Sequence, residues 1–314
     1  MENITGVTKT QLDLQKINEQ AQYELDKLIK FSSRKYEDEI DVIANSIIYG
    51  SKRFVLLAGP SSSGKTTTSK KLEAALNELG KGCVAISLDD FYINRDQTPI
   101  LPDGKYDFEN FDILDLEKFN SCIQDLITSY ETDLPIFDFE TGTRKKEVNH
   151  IEVTDQDIIV IEGTHALNPK LLKMESSLFY RVYICVYSNF QINGTTIIPA
   201  KLLRFMRRLI RDSLTRGTTV EETLEMWNNV CAGEDKYIKP YRVSANYLLD
   251  TTHLYEPLLY HTYLEKMLKD SKNPYGKELY EKLQYCGYLD ESILPDDSLL
   301  WEFLVKGADK NKLK

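Results

Sequence analysis

No stretch of the sequence is apolar for long enough to span a bilayer. The N-terminus, MENITGVTKTQLDLQK, lacks a basic segment followed by an apolar one, so no secretory signal is expected. Cysteine is sparse. Cys83, Cys122, Cys185, Cys231 and Cys286 are odd in number, widely scattered and form no C-x-x-C pair. That pattern excludes a disulfide framework and points to reduced thiols in a cytoplasmic protein. Positive charge is outnumbered, with 39 Lys and Arg against 49 Asp and Glu. The net charge of −10 argues against nucleic-acid binding, because proteins that track phosphate backbones present a basic surface. Internal repeats and low-complexity linkers are absent. What is present is ordinary for a globular protein: 314 residues, 42% hydrophobic and 28% charged, enough for one large or two modest domains.

One string stands out. Gly59-Pro60-Ser61-Ser62-Ser63-Gly64-Lys65-Thr66 fits G-x-x-x-x-G-K-[ST] without a mismatch. Residues 53–58 lead in as a short apolar strand. Residues 67–79 lead out as a helix, with Leu72, Ala75, Leu76 and Leu79 on one stripe and Gly80 placed to stop it. Such a loop holds polyphosphate for physical reasons. Glycine lets backbone N–H groups close on the ligand as a nest. The helix N-terminus adds partial positive charge. Lys65 reaches terminal phosphates and the Thr66 hydroxyl can ligate Mg²⁺. The expected nucleotide contacts are Gly59, Ser61, Ser62, Ser63, Gly64, Lys65, Thr66 and Thr67. The bland alternative is a Gly/Ser-rich surface loop.

Residues 10–49 read as two helices separated at Ser32-Ser33, with no chemical motif. Further on, strands at 82–88, 157–161, 180–186 and 247–249 alternate with helices, one of them at 116–130. These strands are nearly unbroken apolar runs, which suits a parallel sheet covered on both faces. The expected fold class is α/β, a P-loop NTPase-type three-layer fold with a mainly parallel sheet. Residues 134–153 read as a β-hairpin projecting from the sheet edge, and helices are expected at 275–285 and 298–305. The organisation expected is a helical arm (1–52), a central domain (53–270) with the hairpin and an arginine-rich lid (198–231), and a C-terminal helical extension (271–314).

In an open parallel sheet, ligands bind beyond the carboxyl ends of the strands. Three strands here end in chemistry: the loop at Gly59, the pair Asp89-Asp90, and Glu162. An anion cradle and carboxylates at one edge are what phosphoryl transfer needs. One carboxylate can help hold Mg²⁺ and another can accept the proton of an attacking hydroxyl. Each acid alone can equally be a helix cap or a solvated residue. Lys201, Arg204, Arg207, Arg208, Arg211 and Arg216 form a dense cationic segment. Arg204, Arg208 and Arg211 fall at i, i+4 and i+7 on one helical face, with Arg207 beside them. Arginines that close over a transferring phosphoryl group stabilise its charge. The alternative is a solvated face paired with Asp212, Glu221 and Glu222. Arg216-Gly217-Thr218 reads as the turn to a second lid helix at 221–231.

These residues resemble the uridine kinase and phosphoribulokinase-like family of P-loop kinases. The matching strings are GPSSSGKTT, SLDDFY, YDFENFD, FDFETGTR, IIVIEGTHALNP, RRLIRDSLTRG and GEDKYIKP. The likeness is greatest to the kinase module of larger bacterial proteins, where it follows a region resembling parts of threonyl-tRNA synthetase; here a short helical arm stands in that position. The resemblance implies ATP-dependent phosphorylation of the 5′-hydroxyl of a nucleoside, uridine- or cytidine-like, with ATP and Mg²⁺ as cofactors. It implies Asp89 as general base, Lys65 and Arg211 as catalytic partners, and Thr66 and Glu162 as Mg²⁺ ligands. It places Asp90, Tyr92, Tyr106, Glu109, Phe137, Phe139, Arg144, Arg208 and Arg216 around the acceptor. Glu109 stands where the family usually has a ribose-binding Asp, and Phe137 and Phe139 stand at aromatic positions lining the nucleobase pocket. The chain departs from the pattern at Gly142, where uridine kinases carry a pyrimidine-contacting His, and at Phe137, where they carry Tyr. Both changes remove hydrogen-bonding groups from base recognition; residues 188–199 are candidates to replace them. The partner implied is a small nucleoside-like molecule, with no nucleic acid and no membrane, and a homo-oligomer left open. The alternatives are a sugar-phosphate or pantothenate kinase on the same scaffold, or an inactive nucleotide-binding regulator. No N-K-x-D string supports a GTPase, and no H-R-D or D-F-G string supports a protein kinase.

Overall fold

The structure, a computed structural model, describes residues 9–172, 174–304 and 306. The outer ends of the arm and of the C-terminal extension, and residue 305 of the helix expected at 298–305, lie outside the described residues. The chain opens with β1 (Gln11–Asp13), α1 (Leu14–Tyr23) and α2 (Leu25–Tyr49). Asp13 caps α1 by accepting the Lys16 N–H. The helix break expected at Ser32-Ser33 falls at Glu24 instead. Ser32 is buried within α2, and its hydroxyl accepts the Leu254 N–H at 3.0 Å. A serine that reads as a local breaker is satisfied by a partner distant in sequence, which removes its competition with the helix.

After the arm come β2 (Phe54–Ala58), α3 (Lys65–Glu78), β3 (Cys83–Ser87) and α4 (Leu116–Thr128). The hairpin comprises β4 (Glu131–Leu134), β5 (Phe137–Asp138), β6 (Thr143–Arg144) and β7 (Asn149–Glu152); β4 pairs antiparallel with β7, and β5 with β6. Next come β8 (Ile158–Glu162), β9 (Phe179–Cys185), β10 (Asn189–Ile192), β11 (Thr195–Ile198), α5 (Ala200–Thr215) and α6 (Val220–Tyr237). The chain continues through β12 (Tyr247–Asp250), α7 (Glu256–Leu268), α8 (Pro274–Leu283) and α9 (Trp301–Leu304).

The central sheet has the order β12-β9-β2-β8-β3, and every pairing in it is parallel. Its strands alternate strictly between two cores. Val55, Leu57, Ile158, Val160, Val182 and Ile184 face one core with buried residues of α2, α3, α5, α7 and α9. Phe54, Leu56, Ile159, Ile161 and Phe179 face the other, with Phe119, Ile123 and Leu126 of α4. Helices on both faces explain why these strands read as continuous apolar runs. Chain order reverses around β2, so the crevice beyond its carboxyl end is the natural ligand edge. No described helix is long and apolar enough to cross a membrane.

The stretch 188–199, a candidate for base contacts, is used otherwise. β10 pairs in parallel with β1 and antiparallel with β11, tying the arm to the start of α5, where Asn189 Oδ1 accepts the Ala200 N–H at 2.9 Å. Thr196 and Ile197 line a surface cleft with Glu278 and Lys282 of α8.

Helix α5 is amphipathic in an unusual way, because its buried side includes Arg207 at 0% exposure. The Arg207 guanidinium donates to both Glu256 carboxylate oxygens (2.5 and 2.8 Å) and to the hydroxyl and carbonyl of Thr251 (3.0 and 2.7 Å). Removing one partner of such a pair strands the other charge. Arg207→Met is therefore expected to cost about 3–5 kcal/mol in chemical denaturation. Lys27→Met, which removes the exposed Lys27–Glu24 pair, should stay within about 0.5 kcal/mol. Equal effects would contradict the anchoring role of Arg207.

Candidate active site

The loop between β2 and α3 is shaped by its glycines. A Cβ on Gly59 would lie 2.1 Å from the Ile184 carbonyl at the end of β9, and Gly64 has φ +91°, the left-handed region that glycine tolerates. The Thr251 hydroxyl donates to the Ser63 carbonyl at 2.7 Å and steadies the loop from β12. Lys65 Nζ folds back to donate to the Pro60 carbonyl at 3.2 Å. The buried hydroxyls of Ser62 and Ser63 have no protein partner among the described residues. Ser61 Oγ accepts from Arg208 at 3.1 Å. The Thr67 N–H is taken by Glu302 Oε2 at 3.0 Å.

Strand register delivers the carboxylates. Leu57, Glu162 and Ser87 are direct partners across β2, β8 and β3, all on the α3 side of the sheet. Glu162 Oε1 accepts from Ser87 Oγ at 3.0 Å and, more loosely, from Thr66 Oγ1 at 3.4 Å. Burial, then the charge of Asp89, pushes Glu162 up to about 7, against the pull of Lys65 and the Ser87 hydrogen bond. A carboxylate and hydroxyls converging in this way are the hard oxygen donors that Mg²⁺ prefers; Thr66 and Glu162 would hold it.

Asp89 and Asp90 part company. Asp89 sits on the 3₁₀ turn Leu88–Phe91, and one of its carboxylate oxygens accepts from Tyr92 Oη at 2.8 Å. Asp90 turns to the hairpin, where Oδ1 accepts the Phe137 N–H at 3.2 Å. The rings of Tyr92, Phe137 and Phe139 meet edge to face, with centroids 5.2–6.2 Å apart. Arg144 spends its guanidinium on the protein, donating to the Tyr92 and Phe91 carbonyls (3.1 and 3.0 Å) and to Asp115 at 2.8 Å. It pins the hairpin to the Asp89 turn. Tyr106 is not gathered here; it is exposed and packs on Phe108. Gly142 has φ +70°, and a Cβ there would lie 2.6 Å from Arg95 Nε. Arg95 itself donates to the Phe139 carbonyl at 2.6 Å. A histidine at 142 has no room; an arginine from a neighbouring turn lies there.

The cationic stripe divides. Arg204 pairs with buried Glu234 at 2.5 Å and Arg207 with Glu256, both within the protein core. Arg208, Arg211 and Arg216 converge on Asp212 at 3.1, 2.7 and 3.6 Å. Burial works against the charged form of Asp212, yet Arg211, Arg208 and Arg216 hold its carboxyl below the ordinary value. Pairing with Asp212 is thus realised, whereas Glu222 is occupied in the capping box of Thr219. Arg216 also lies over the Phe139 ring at 5.7 Å. Glu109 packs against α6, where a Cβ on Gly233 would lie 2.4 Å from its own.

Sequence reasoning passed over Ser87, His165 and Glu302. Ser87 carried a signal: it ends a strand in SLDDFY with the same parity as Glu162. His165 is buried beside Phe111, and burial pushes its imidazole down to about 4, so it is neutral. Glu302 carried no signal, since its partner lies 235 residues away.

A P-loop at the switch point of a parallel sheet, with a carboxylate under its Thr and arginines beside it, defines a P-loop kinase. The model of the Phosphoribulokinase / Uridine kinase family matches residues 54–253, and the chain belongs to that family. The uridine kinase of Leuconostoc citreum is 26% identical over 194 residues, covering 62% of this chain and 84% of that protein. That of Clostridium botulinum (strain Okra / Type B1) is 29% identical over 183 residues, 57% of this chain and 79% of that one. A solved structure of a possible uridine kinase from Bacillus stearothermophilus aligns with a TM-score of 0.46 at 22% identity, over 68% of this chain and 98% of that chain. The protein is a phosphotransferase carrying out uridine kinase-like phosphoryl transfer, and its family implies ATP and, typically, Mg²⁺.

Burial, then the charge of Glu234, pushes Glu109 from the ordinary 4.5 up to about 7, against Arg208, Lys65 and Arg204. The unfolded chain releases this proton near pH 4.5, while the folded protein keeps it until about pH 7. Glu109 therefore makes stability fall as pH rises through that window, with no further change above it. Glu109→Gln is expected to show a shallower fall in unfolding free energy across it. An unchanged slope would contradict the burial of this carboxyl.

Proposed function

We propose that the protein transfers the terminal phosphate of ATP to a primary hydroxyl of a nucleoside-like acceptor, with Asp89 as the group that orients and deprotonates it. The observation that carries this reading is the convergence of Asp89, Glu162 and the P-loop at one sheet edge, with Tyr92 fixing the Asp89 carboxylate. Residues 59–67 bind the donor phosphates. Mg²⁺ at Thr66 and Glu162 neutralises phosphate charge when bound. Lys65 leaves the Pro60 carbonyl for the phosphates, an exchange of one acceptor for a stronger, charged one. Arg208, Arg211 and Arg216 exchange Asp212 for the developing charge of the transferred group. Because Arg207 anchors the middle of α5, any lid motion of 198–231 falls to the tip around Gly217.

The acceptor lies against Tyr92, Phe137 and Phe139, with Glu109 available to ribose hydroxyls. With Phe at 137 and Gly at 142, recognition of the base rests on stacking more than on hydrogen bonds. Uridine and cytidine are then expected to differ by less than about tenfold in kcat/KM, because strong discrimination requires buried hydrogen-bonding groups. One observation favours a second reading. Arg95 beside Gly142 and Arg216 over Phe139 put two cations at the aromatic pocket, which suits an anionic acceptor such as a sugar phosphate or pantothenate.

An acceptor panel with ATP and Mg²⁺, read by ADP release, decides between them. Turnover with nucleosides supports the first reading, and turnover only with anionic acceptors supports the second. Turnover with no acceptor would contradict both and leave a nucleotide-binding regulator. Asp89→Asn is expected to lower kcat by about 10²–10⁴-fold while ATP affinity holds. Undiminished turnover would remove Asp89 from the base role.

A further inference from the structure

If residues 59–67 form the donor site, that site has a resident of its own. Helix α3 begins at Lys65, so the N–H groups of Lys65, Thr66 and Thr67 belong to its first turn and have no partner within the helix. With the helix dipole they make an anion station. In a loop of this type the lysine serves the terminal phosphates, and the backbone serves the phosphates nearer the nucleoside. The Thr67 N–H, last of the set, is the donor left for the α-phosphate.

That N–H is already engaged. Glu302 Oε2 accepts it at 3.0 Å. The segment that brings Glu302 there is firmly packed: Leu299, Leu300, Phe303 and Leu304 are fully buried. Leu299 lies against the loop, so that a Cβ on Gly64 would come within 2.7 Å of it. The Arg207 guanidinium covers the Phe303 ring at 4.8 Å, and Lys71 of α3 binds Asp297 at 2.5 Å. The backbone of α9 is therefore held, and what can leave the station is the half-buried Glu302 side chain, by rotation.

We propose that Glu302 is a specificity determinant of the donor site: its carboxylate stands at the α-phosphate station, so a nucleotide must displace it whereas inorganic pyrophosphate, seated at the Lys65 end, need not. The same carboxylate returns when the nucleotide leaves, which weakens retention of ADP. A carboxylate that merely capped α3, with the nucleotide bound elsewhere, would have no such selective effect. The proposal rests on the donor-site reading of the P-loop.

Titration calorimetry on the whole chain with MgADP and with magnesium pyrophosphate tests this. Glu302→Gln keeps the shape and removes the charge. It is expected to bind MgADP about three- to tenfold more tightly, with pyrophosphate affinity changed by less than about twofold. Glu302→Asp keeps the charge but falls a methylene short of Thr67, and it should also gain ADP affinity. Melting curves of the unliganded variants verify that they are folded. Unchanged or weaker ADP binding in both variants would overturn the proposal, as would equal gains for ADP and pyrophosphate, which would indicate a general field and not occupancy. If the wild-type protein bound ADP and the variants bound it equally well, only this inference would fall. If neither ligand bound any of the proteins, the donor-site reading would fall and this inference with it.

Discussion

Leu57, Glu162 and Ser87 stand side by side across three parallel strands, and the proposed chemistry depends on that register. Side chains alternate faces along a strand, so a slip of one residue in β8 would turn Glu162 toward the α4 core and leave Thr66 and Ser87 without their shared carboxylate. The register is held from below. Ile158 and Val160 face one core and Ile159 and Ile161 the other, all nearly or fully buried. Burial of both faces is thus what sets the height of a carboxylate at the sheet edge.

A second constraint is charge. A stripe of arginines on one helix would repel itself in a chain without counter-charges. Here each arginine has an assigned carboxylate: Glu234 for Arg204, Glu256 for Arg207, and Asp212 for Arg208, Arg211 and Arg216. The first two pairs are fixed parts of the core. The third gathers three cations around one buried anion next to the phosphate loop. On the proposed reading such a cluster is pre-organised for an arriving phosphate, because the cations are already collected and need only exchange one anion for another.

Some of this was legible in the sequence, for reasons that are local. The strands of the central sheet announce themselves as continuous apolar runs, and the phosphate loop is a contiguous string whose flanks have the right periods. Features that depend on distant partners were not legible. Ser32 reads as a breaker until Leu254 supplies the N–H it accepts. Residues 188–199 read as candidate base contacts until β1 pairs with them. Arg144 and Asp90 stand in site strings but bind the Asp89 turn and the hairpin to each other. Parity along a strand would have found Ser87, whereas no pattern links Glu302 to Thr67.

The central claim is that the P-loop and Asp89 face each other across the space of one hydroxyl. A crystal structure with magnesium and a non-hydrolysable ATP analogue measures this directly. The account predicts phosphates along residues 59–67 and a terminal phosphorus turned toward Asp89, with room between them for an acceptor oxygen at the ~3–3.5 Å of a reacting pair. A phosphate chain bound elsewhere, or a terminal phosphate turned away from Asp89, would contradict it.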